Sequence, residues 1–308
     1  MDWNTSIVRH LFWVATFVLS LGSLSLGAQT KETQRTFDSA ESAAKALITA
    51  AKTNDVNALV EIFGAKHRGF IASADNAGNR ENRARFAQAA EEYLHLDREG
   101  ESKVMLVVGF DAWSFPIPLV REKNEWRFDT EIGVEELLNR RIGANELAVI
   151  EVMRRYGGVQ QQYASKPRDG TRVRQFARKI QSSPGKRDGL YWDADPQKGE
   201  ELSPIGPLIP DASSRKAGEP YNGYYFKILT GQGPEAPGGR YSYVINGRMV
   251  AGFALVAYPA DYGSTGMKTF IVNHYGIVYE KDLGKNSAAT ARAMTEYNPD
   301  SSWSEVGE

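Results

Sequence analysis

Apolar and polar positions switch period along this chain, and the switches mark its elements. Asp38-Ser39-Ala40-Glu41 has the capping-box pattern, an N-cap oxygen with a Glu three residues on. Ala43, Ala44, Leu47, Ile48 and Ala51 follow at helical spacing, and Asn54-Asp55 ends the run. Val56, Leu59, Val60 and Phe63 predict a second, short helix, residues 64–78 a loop, and Phe86, Ala89, Ala90, Tyr93 and Leu94 a third helix. The period then falls to two. Residues 103–110 are rich in Val, Leu and Met, residues 113–120 alternate, and residues 125–129 are short and aromatic, with Lys123-Asn124 as a hairpin turn. Pro116 and Pro118 cannot donate to a ladder, which predicts an edge or bulged strand. Helices followed by an antiparallel sheet make this half α+β.

A long helical pattern opens the second half, over residues 134–138 and again over 145–156, with a break expected near Gly143. Leu147, Ile150, Met153, Gly157, Gln160 and Tyr163 form one stripe, predicted to lie buried against a later sheet. Gly157 and Gly158 each cost about 1 kcal/mol of helix propensity relative to Ala, so another backbone is expected to pass close by. Residues 166–220 are rich in Pro and Gly, and only residues 173–181 look helical. So long an irregular stretch is uncommon in a compact domain. Its Leu190-Tyr191-Trp192, Ile205, Leu208 and Ile209 predict a wrap docked on the core. Residues 224–229, 241–245, 249–258, 268–273 and 277–279 predict an antiparallel meander, with Asn246-Gly247 as a hairpin turn. A short helix near residues 288–294 and a loose tail at 298–308 follow. The expected division is an α+β lobe over residues 36–140 and a helix-on-sheet lobe over residues 141–297.

Composition narrows the function without naming it. The 308 residues, 42% hydrophobic and 24% charged, suit a globular chain of two ordinary domains. Lys+Arg 37 against Asp+Glu 38 lacks the basic excess that bulk nucleic-acid binding uses, so no nucleic-acid partner is expected. The absence of cysteine excludes disulfides, thiolate metal sites, cysteine nucleophiles and a lipidated cysteine. Arg9 and His10 precede the apolar run 11–21, and small residues lead to Gly27-Ala28. This predicts a signal peptide over residues 1–28, a periplasmic or extracellular product, and no membrane span in the mature chain; a retained anchor is the alternative.

Four blocks carry a family resemblance: residues 113–120 with Trp126-Arg127-Phe128-Asp129-Thr130; Arg140-Arg141-Ile142-Gly143-Ala144-Asn145-Glu146-Leu147; Arg187-Asp188-Gly189-Leu190-Tyr191-Trp192; and residues 254–259 with Thr269-Phe270-Ile271-Val272-Asn273. Together they resemble the bacterial domain of unknown function 2950. That resemblance implies an exported bacterial protein and supplies no activity or catalytic residue. The first half looks like the cystatin-like folds of nuclear transport factor relatives. In the second, Asn145-Glu146 opens an apolar helix, and Gln160-Gln161-Gln162-Tyr163 and Gly223-Tyr224-Tyr225-Phe226 precede a meander. This order is similar to the soluble half of type IV pilins and pseudopilins, and implies a helix laid across a sheet. The polar segment 135–141 stands where a pilin carries its apolar anchoring half.

Chemistry-bearing motifs are sparse. His67, His95 and His274 form no zinc-binding spacing; they read as a loop residue, a helix-end residue and a strand-turn residue. Gly231-Gln232-Gly233-Pro234 reads as a hairpin loop. A hydrolase would need paired acids, for which Asp111, Asp129 and Glu131, or Asp261, Glu280 and Asp282, are candidates; the second trio could also bind calcium. Arg140-Arg141 and Arg154-Arg155 form a helix face that could clamp the wrap's acids. Tyrosines crowd residues 221–262, and Tyr224, Tyr258, Asp261 and Tyr262 are the candidate ligand-binding residues, since a phenol pairs an apolar face with a hydroxyl. No catalytic residue, metal ligand or cofactor is assigned. The expected function is a non-enzymatic envelope protein that binds a protein partner or a glycan. A carboxylate-based hydrolase of cell-wall or glycan material and a minor pilus or secretion accessory component are the alternatives.

Overall fold

Ser39 caps the first helix, one position later than the sequence pattern suggests. The computed structural model describes residues 34–72, 77–168, 170, 172–209 and 218–307, so the predicted leader lies outside the described residues. The Ser39 hydroxyl accepts from the Ser42 amide at 3.1 Å, and the Ser42 hydroxyl accepts from the Ser39 amide at 3.3 Å. Helix α1 (Ala40–Lys52) then buries Ala43, Ala44, Leu47, Ala50 and Ala51. In α2 (Val56–Phe63) the Asp55 carboxylate caps the Ala58 amide at 3.0 Å. The predicted loop 64–78 is instead mostly helical: a 3-10 turn leads to α3 (Arg68–Ala72), and α4 (Ala77–Glu92) starts inside it. The polar start of α4, Asn79-Arg80-Glu81-Asn82, gave no apolar period to read.

The third helix also ends earlier than expected. Leu94 opens β1 (Leu94–Glu99), followed by β2 (Lys103–Val108), β3 (Trp113–Ser114), β4 (Leu119–Glu122) and β5 (Glu125–Phe128). They form one antiparallel sheet in the order β1-β2-β4-β5, with β3 also on β2. β1 is exposed along most of its length, so it lacks the alternation that announces a strand. Pro116 and Pro118 split the predicted 113–120 run into β3 and β4. β4 lies between β2 and β5 and is therefore not an edge. Lys123 and Asn124, both at positive φ, form the expected turn. Phe63, Phe86, Phe115 and Phe128 fill the core beneath, with Phe86 and Phe115 centroids 5.2 Å apart.

Helix α5 (Thr130–Ala164) is unbroken through Gly143. The Thr130 hydroxyl donates to the Phe63 carbonyl at 2.8 Å, and the Gly133 amide bonds the Asp129 carbonyl at 3.0 Å. Contacts divide the chain after Arg141, so this one helix begins in the first compact unit and ends in the second.

In the second unit α5 buries Val149, Val152, Met153, Tyr156, Val159, Gln160 and Tyr163. The stripe is rotated from the predicted one. Leu147 is 57% exposed and Ile150 only half-buried, because the contact face follows the 149-152-153-156 spacing. The strands here are β6 (Tyr224–Leu229), β7 (Gly231–Gln232), β8 (Tyr241–Ser242), β9 (Val244–Ile245), β10 (Arg248–Met249), β11 (Ala254–Pro259), β12 (Lys268–Asn273), β13 (Val278–Asp282), β14 (Glu296–Tyr297) and β15 (Ser304–Glu305), with α6 (Ser287–Ala293) between β13 and β14. The main sheet runs β15-β13-β12-β11-β6, all antiparallel. Asn246 and Gly247 turn β9 into β10 as predicted. Every residue of β11 is buried, as a strand covered on both faces requires. Tyr224 bonds Glu146 of α5 on one face. Lys227, three positions on and so facing the other way, donates to the Arg292 and Met294 carbonyls at the end of α6.

Three expectations fail here. Residues 173–181 are not helical but run as irregular chain, with the Phe176 amide on the Met249 carbonyl at 2.8 Å. The tail predicted as loose is tied down: β15 pairs with β13, the Val306 amide bonds the Val278 carbonyl at 2.9 Å, and Arg154 donates to the Gly307 carbonyl at 2.5 Å. Among the described residues no backbone approaches Gly157 or Gly158, where an added Cβ would meet nothing within 4 Å. Among the described residues no helix is long and apolar enough to cross a membrane.

Glycines of one helix therefore give opposite predictions. Gly157→Ala and Gly158→Ala should each stabilise the fold by about 1 kcal/mol through helix propensity, read from chemical denaturation. Gly133→Ala should instead destabilise it by about 1–3 kcal/mol, because its Cβ would lie 2.3 Å from Ile117 Cγ1. Destabilisation at Gly157 and Gly158 would mean that something does need those positions bare.

Candidate functional site

Residues 166–209 hold their shape by side chains more than by ladders. Arg168 is central. Its side chain is 5% exposed, and its guanidinium lies 4.9 Å from the Tyr163 ring centroid and 4.8 Å from that of Trp192. Nε donates to the Tyr163 carbonyl at 3.0 Å, anchoring the segment to the end of α5. Nη2 and Nη1 reach the Glu201 carboxylate at 2.9 and 3.4 Å, and the Trp192 indole donates to the Glu201 carbonyl at 2.8 Å. Lys166 and Arg187 add contacts to the same carboxylate at 2.9 and 3.2 Å. Hydrogen bonding from Arg168, then from Lys166, outweighs desolvation and holds the Glu201 carboxyl down at about 2.

A second clamp lies between residues 179 and 188. Lys179 Nζ donates to Asp188 Oδ2 at 2.6 Å and to the Ser183 hydroxyl at 2.9 Å. That hydroxyl and the Ser183 amide both donate to Asp188, at 3.0 and 2.7 Å. A hydroxyl between an amine and a carboxylate has the parts of an activated nucleophile. The Lys179 hydrogen bond above all brings the Asp188 carboxyl to about 2, too weak a base to take the hydroxyl proton near neutral pH. The cluster is a turn lock. Deeper in, buried Gln160 grips Ala177 twice, accepting from its amide at 2.8 Å and donating to its carbonyl at 3.0 Å.

These clamps frame a cleft of about 540 Å³ formed by residues 191–209. Asp193, Asp195 and Glu200 supply carboxylates, Lys198 a cation, and Leu202 and Ile209 apolar surface. The Tyr191 hydroxyl donates to Asp193 at 2.8 Å, and Glu200 accepts from the Asp195 amide at 2.9 Å. Half of Leu202 is exposed.

The four residues named from sequence fall in different places. Tyr224 is fully buried, its hydroxyl 2.9 Å from the Lys268 carbonyl and 3.2 Å from Glu146 Oε1. Glu146 also accepts from the Met267 and Lys268 amides at 2.7 and 3.0 Å, and burial followed by this carboxylate pushes the Tyr224 phenol up. Tyr258 is buried against Tyr225, centroids 5.7 Å apart. Asp261 and Tyr262 do meet, in a depression of about 320 Å³ shared with Lys285. Tyr262 spends its hydroxyl on Asp282 at 3.1 Å.

The other candidates are tied up locally. Asp129 sits at the start of α5, Glu131 pairs with Lys66, and Glu280 lies 3.5 Å from Lys268. Among the described residues no three His, Asp or Glu side chains are grouped to hold a metal ion. His95 belongs to β1 rather than to a helix end. His274 does occupy a strand turn, with its ring against Tyr243 and Tyr275, and burial lowers its pKa. Among the described residues, Arg140, Arg154 and Arg155 have partners outside the wrap. Arg140 bonds Glu136 and the Ser114 carbonyl, Arg154 the Gly307 carbonyl, and Arg155 Glu151. Lys166, Arg168 and Arg187 take the clamping role, and part of the signal lay in the Arg187–Trp192 block.

A family model described as protein of unknown function (DUF2950) matches residues 34–306. The chain belongs to that family. No curated protein and no solved structure matches it.

The clamps of this DUF2950 protein make its stability depend on acid. Both carboxyls are depressed from ordinary values of 4.5 and 3.8 to about 2, so their contribution is present above those values and is lost as pH falls towards 2. The melting temperature should fall across that window. Glu201→Gln should lower it at neutral pH and flatten the acid loss, and parallel wild-type and variant curves would contradict this.

Proposed function

We propose that this DUF2950 protein is an exported, non-enzymatic envelope protein that binds a glycan or a protein partner in the wrap cleft. The cleft carries the proposal. Its volume of about 540 Å³ falls in the range of small-molecule sites, roughly 300–1,000 Å³. Its wall mixes Leu202 and Ile209 with Asp193, Asp195 and Glu200, which suits a ligand with an apolar face and hydroxyl or amine donors. Its frame is fixed in advance by the Arg168–Glu201 pair, which limits the ordering cost of binding. The leader pattern over residues 1–28 supports export. The depression of Asp261, Tyr262 and Lys285 is a second, smaller contact in the same reading. Unit one is then a cystatin-like fold, supported by helices packed on an antiparallel sheet, and unit two a pilin-like one, supported by α5 lying against its sheet.

The test is retention of bacterial glycans and envelope peptides by the tagged full chain, with fractionation to locate it. Leu202→Asp, a half-exposed position that should leave the melting temperature unchanged, is expected to weaken retention about tenfold, equivalent to about 1.4 kcal/mol. Equal retention by wild type and variant, or none by either, would overturn the assignment.

A further inference from the structure

Charge along this chain is unevenly placed. Residues 166–188 carry eight Lys or Arg against two Asp, leaving 29 basic against 36 acidic residues elsewhere. Three of the eight converge on a single oxygen, Glu201 Oε2, with Lys166 Nζ at 2.9 Å, Arg187 Nη1 at 3.2 Å and Arg168 Nη1 at 3.4 Å. Among the described residues Glu201 is the one carboxylate paired with these three cations, an excess of two positive charges. Arg168 is enclosed between its two rings, whereas the Lys166 and Arg187 side chains are 54% and 45% exposed. Neither exposed cation pairs with another acid among the described residues. The Trp192 ring lies 5.5 Å from the Arg187 guanidinium and helps to fix it.

We propose that Lys166 and Arg187, gathered by Glu201, bind the phosphate group of a ligand. Two excess charges match a phosphate group, which carries roughly −1.5 to −2 near neutral pH, better than a carboxylate monoanion. A guanidinium fork beside an ammonium point charge is a common phosphate-binding combination. Glu201 stays ionised throughout the physiological range and keeps the cations together without neutralising them. The site is separate from the cleft reading and does not rest on it: Leu202→Ala, which adds no charge beside Glu201, should leave phosphate binding unchanged.

The full chain is titrated with inorganic phosphate and with pyrophosphate by calorimetry, against chloride at matched ionic strength. Pyrophosphate should bind, and more tightly at pH 7 than at pH 5, because the second phosphate proton leaves near pH ≈ 6. Lys166→Gln and Arg187→Gln should each weaken binding about tenfold, and Lys52→Gln, an exposed partner of Glu91, should not. Lys166 is half-exposed, so its variant should stay folded with only a slightly lower melting temperature, and it decides the matter if Arg187→Gln unfolds. Co-sedimentation with phosphatidylcholine vesicles containing phosphatidic acid, if lost in Lys166→Gln, assigns the phosphate to a lipid headgroup. Pyrophosphate binding without vesicle retention assigns it to a soluble ligand. No response to any of these probes, or equal binding by wild type and Lys166→Gln, overturns the proposal.

Discussion

Arg168 lets more than forty described residues without an α-helix keep one shape. A guanidinium buried between Tyr163 and Trp192 needs a counter-charge, and Glu201, more than thirty residues later, supplies it. That constraint brings the far end of the wrap back to the end of α5. Everything between then has a fixed path: the Lys179–Asp188 lock, the Gln160 grip on Ala177 and the bridge from Gln181 to Tyr191. Losing one partner of a buried pair costs about 3–5 kcal/mol in general, and the partial exposure of Glu201 places this pair towards or below that lower figure. The cleft and the cation group both stand on this frame.

The wrap in turn needs a firm base, and α5 on its sheet provides it. Val149, Met153 and Tyr156 supply apolar burial, while Glu146 fixes register by accepting from two successive amides at the start of β12. Asn145 adds a hydrogen bond to the Thr265 carbonyl at 2.9 Å. Apolar contact alone tolerates a helix sliding or rotating; these directional bonds do not. This explains how Leu147 stays outside even though it continues an apolar spacing.

What the sequence disclosed and what it hid follow from the range of the forces involved. The Asn246-Gly247 turn, the Lys123-Asn124 turn and the apolar β11 and β12 were legible because they are local or strongly patterned. β1 was not, being exposed on most positions, and the start of α4 was not, being polar. The helix face was misjudged by a partial turn because Leu147 and Val149 are equally apolar and only packing distinguishes them. Tyrosine enrichment was visible, but not that Tyr224 and Tyr258 are spent inside the core while Asp261 and Tyr262 meet at the surface. The wrap's clamps joined residues far apart in sequence, and neither spacing nor composition selects one such pairing from many.

The direct test of this account is amide hydrogen exchange, residue by residue, in wild type and Arg168→Met at neutral pH. The Leu190 and Tyr191 amides, bonded to the Lys179 and Ile180 carbonyls, should lose protection in the variant while those of β11 and β12 keep theirs. Unchanged protection at Leu190 and Tyr191, or an equal loss across the whole sheet, would contradict the claim that this one guanidinium holds the wrap.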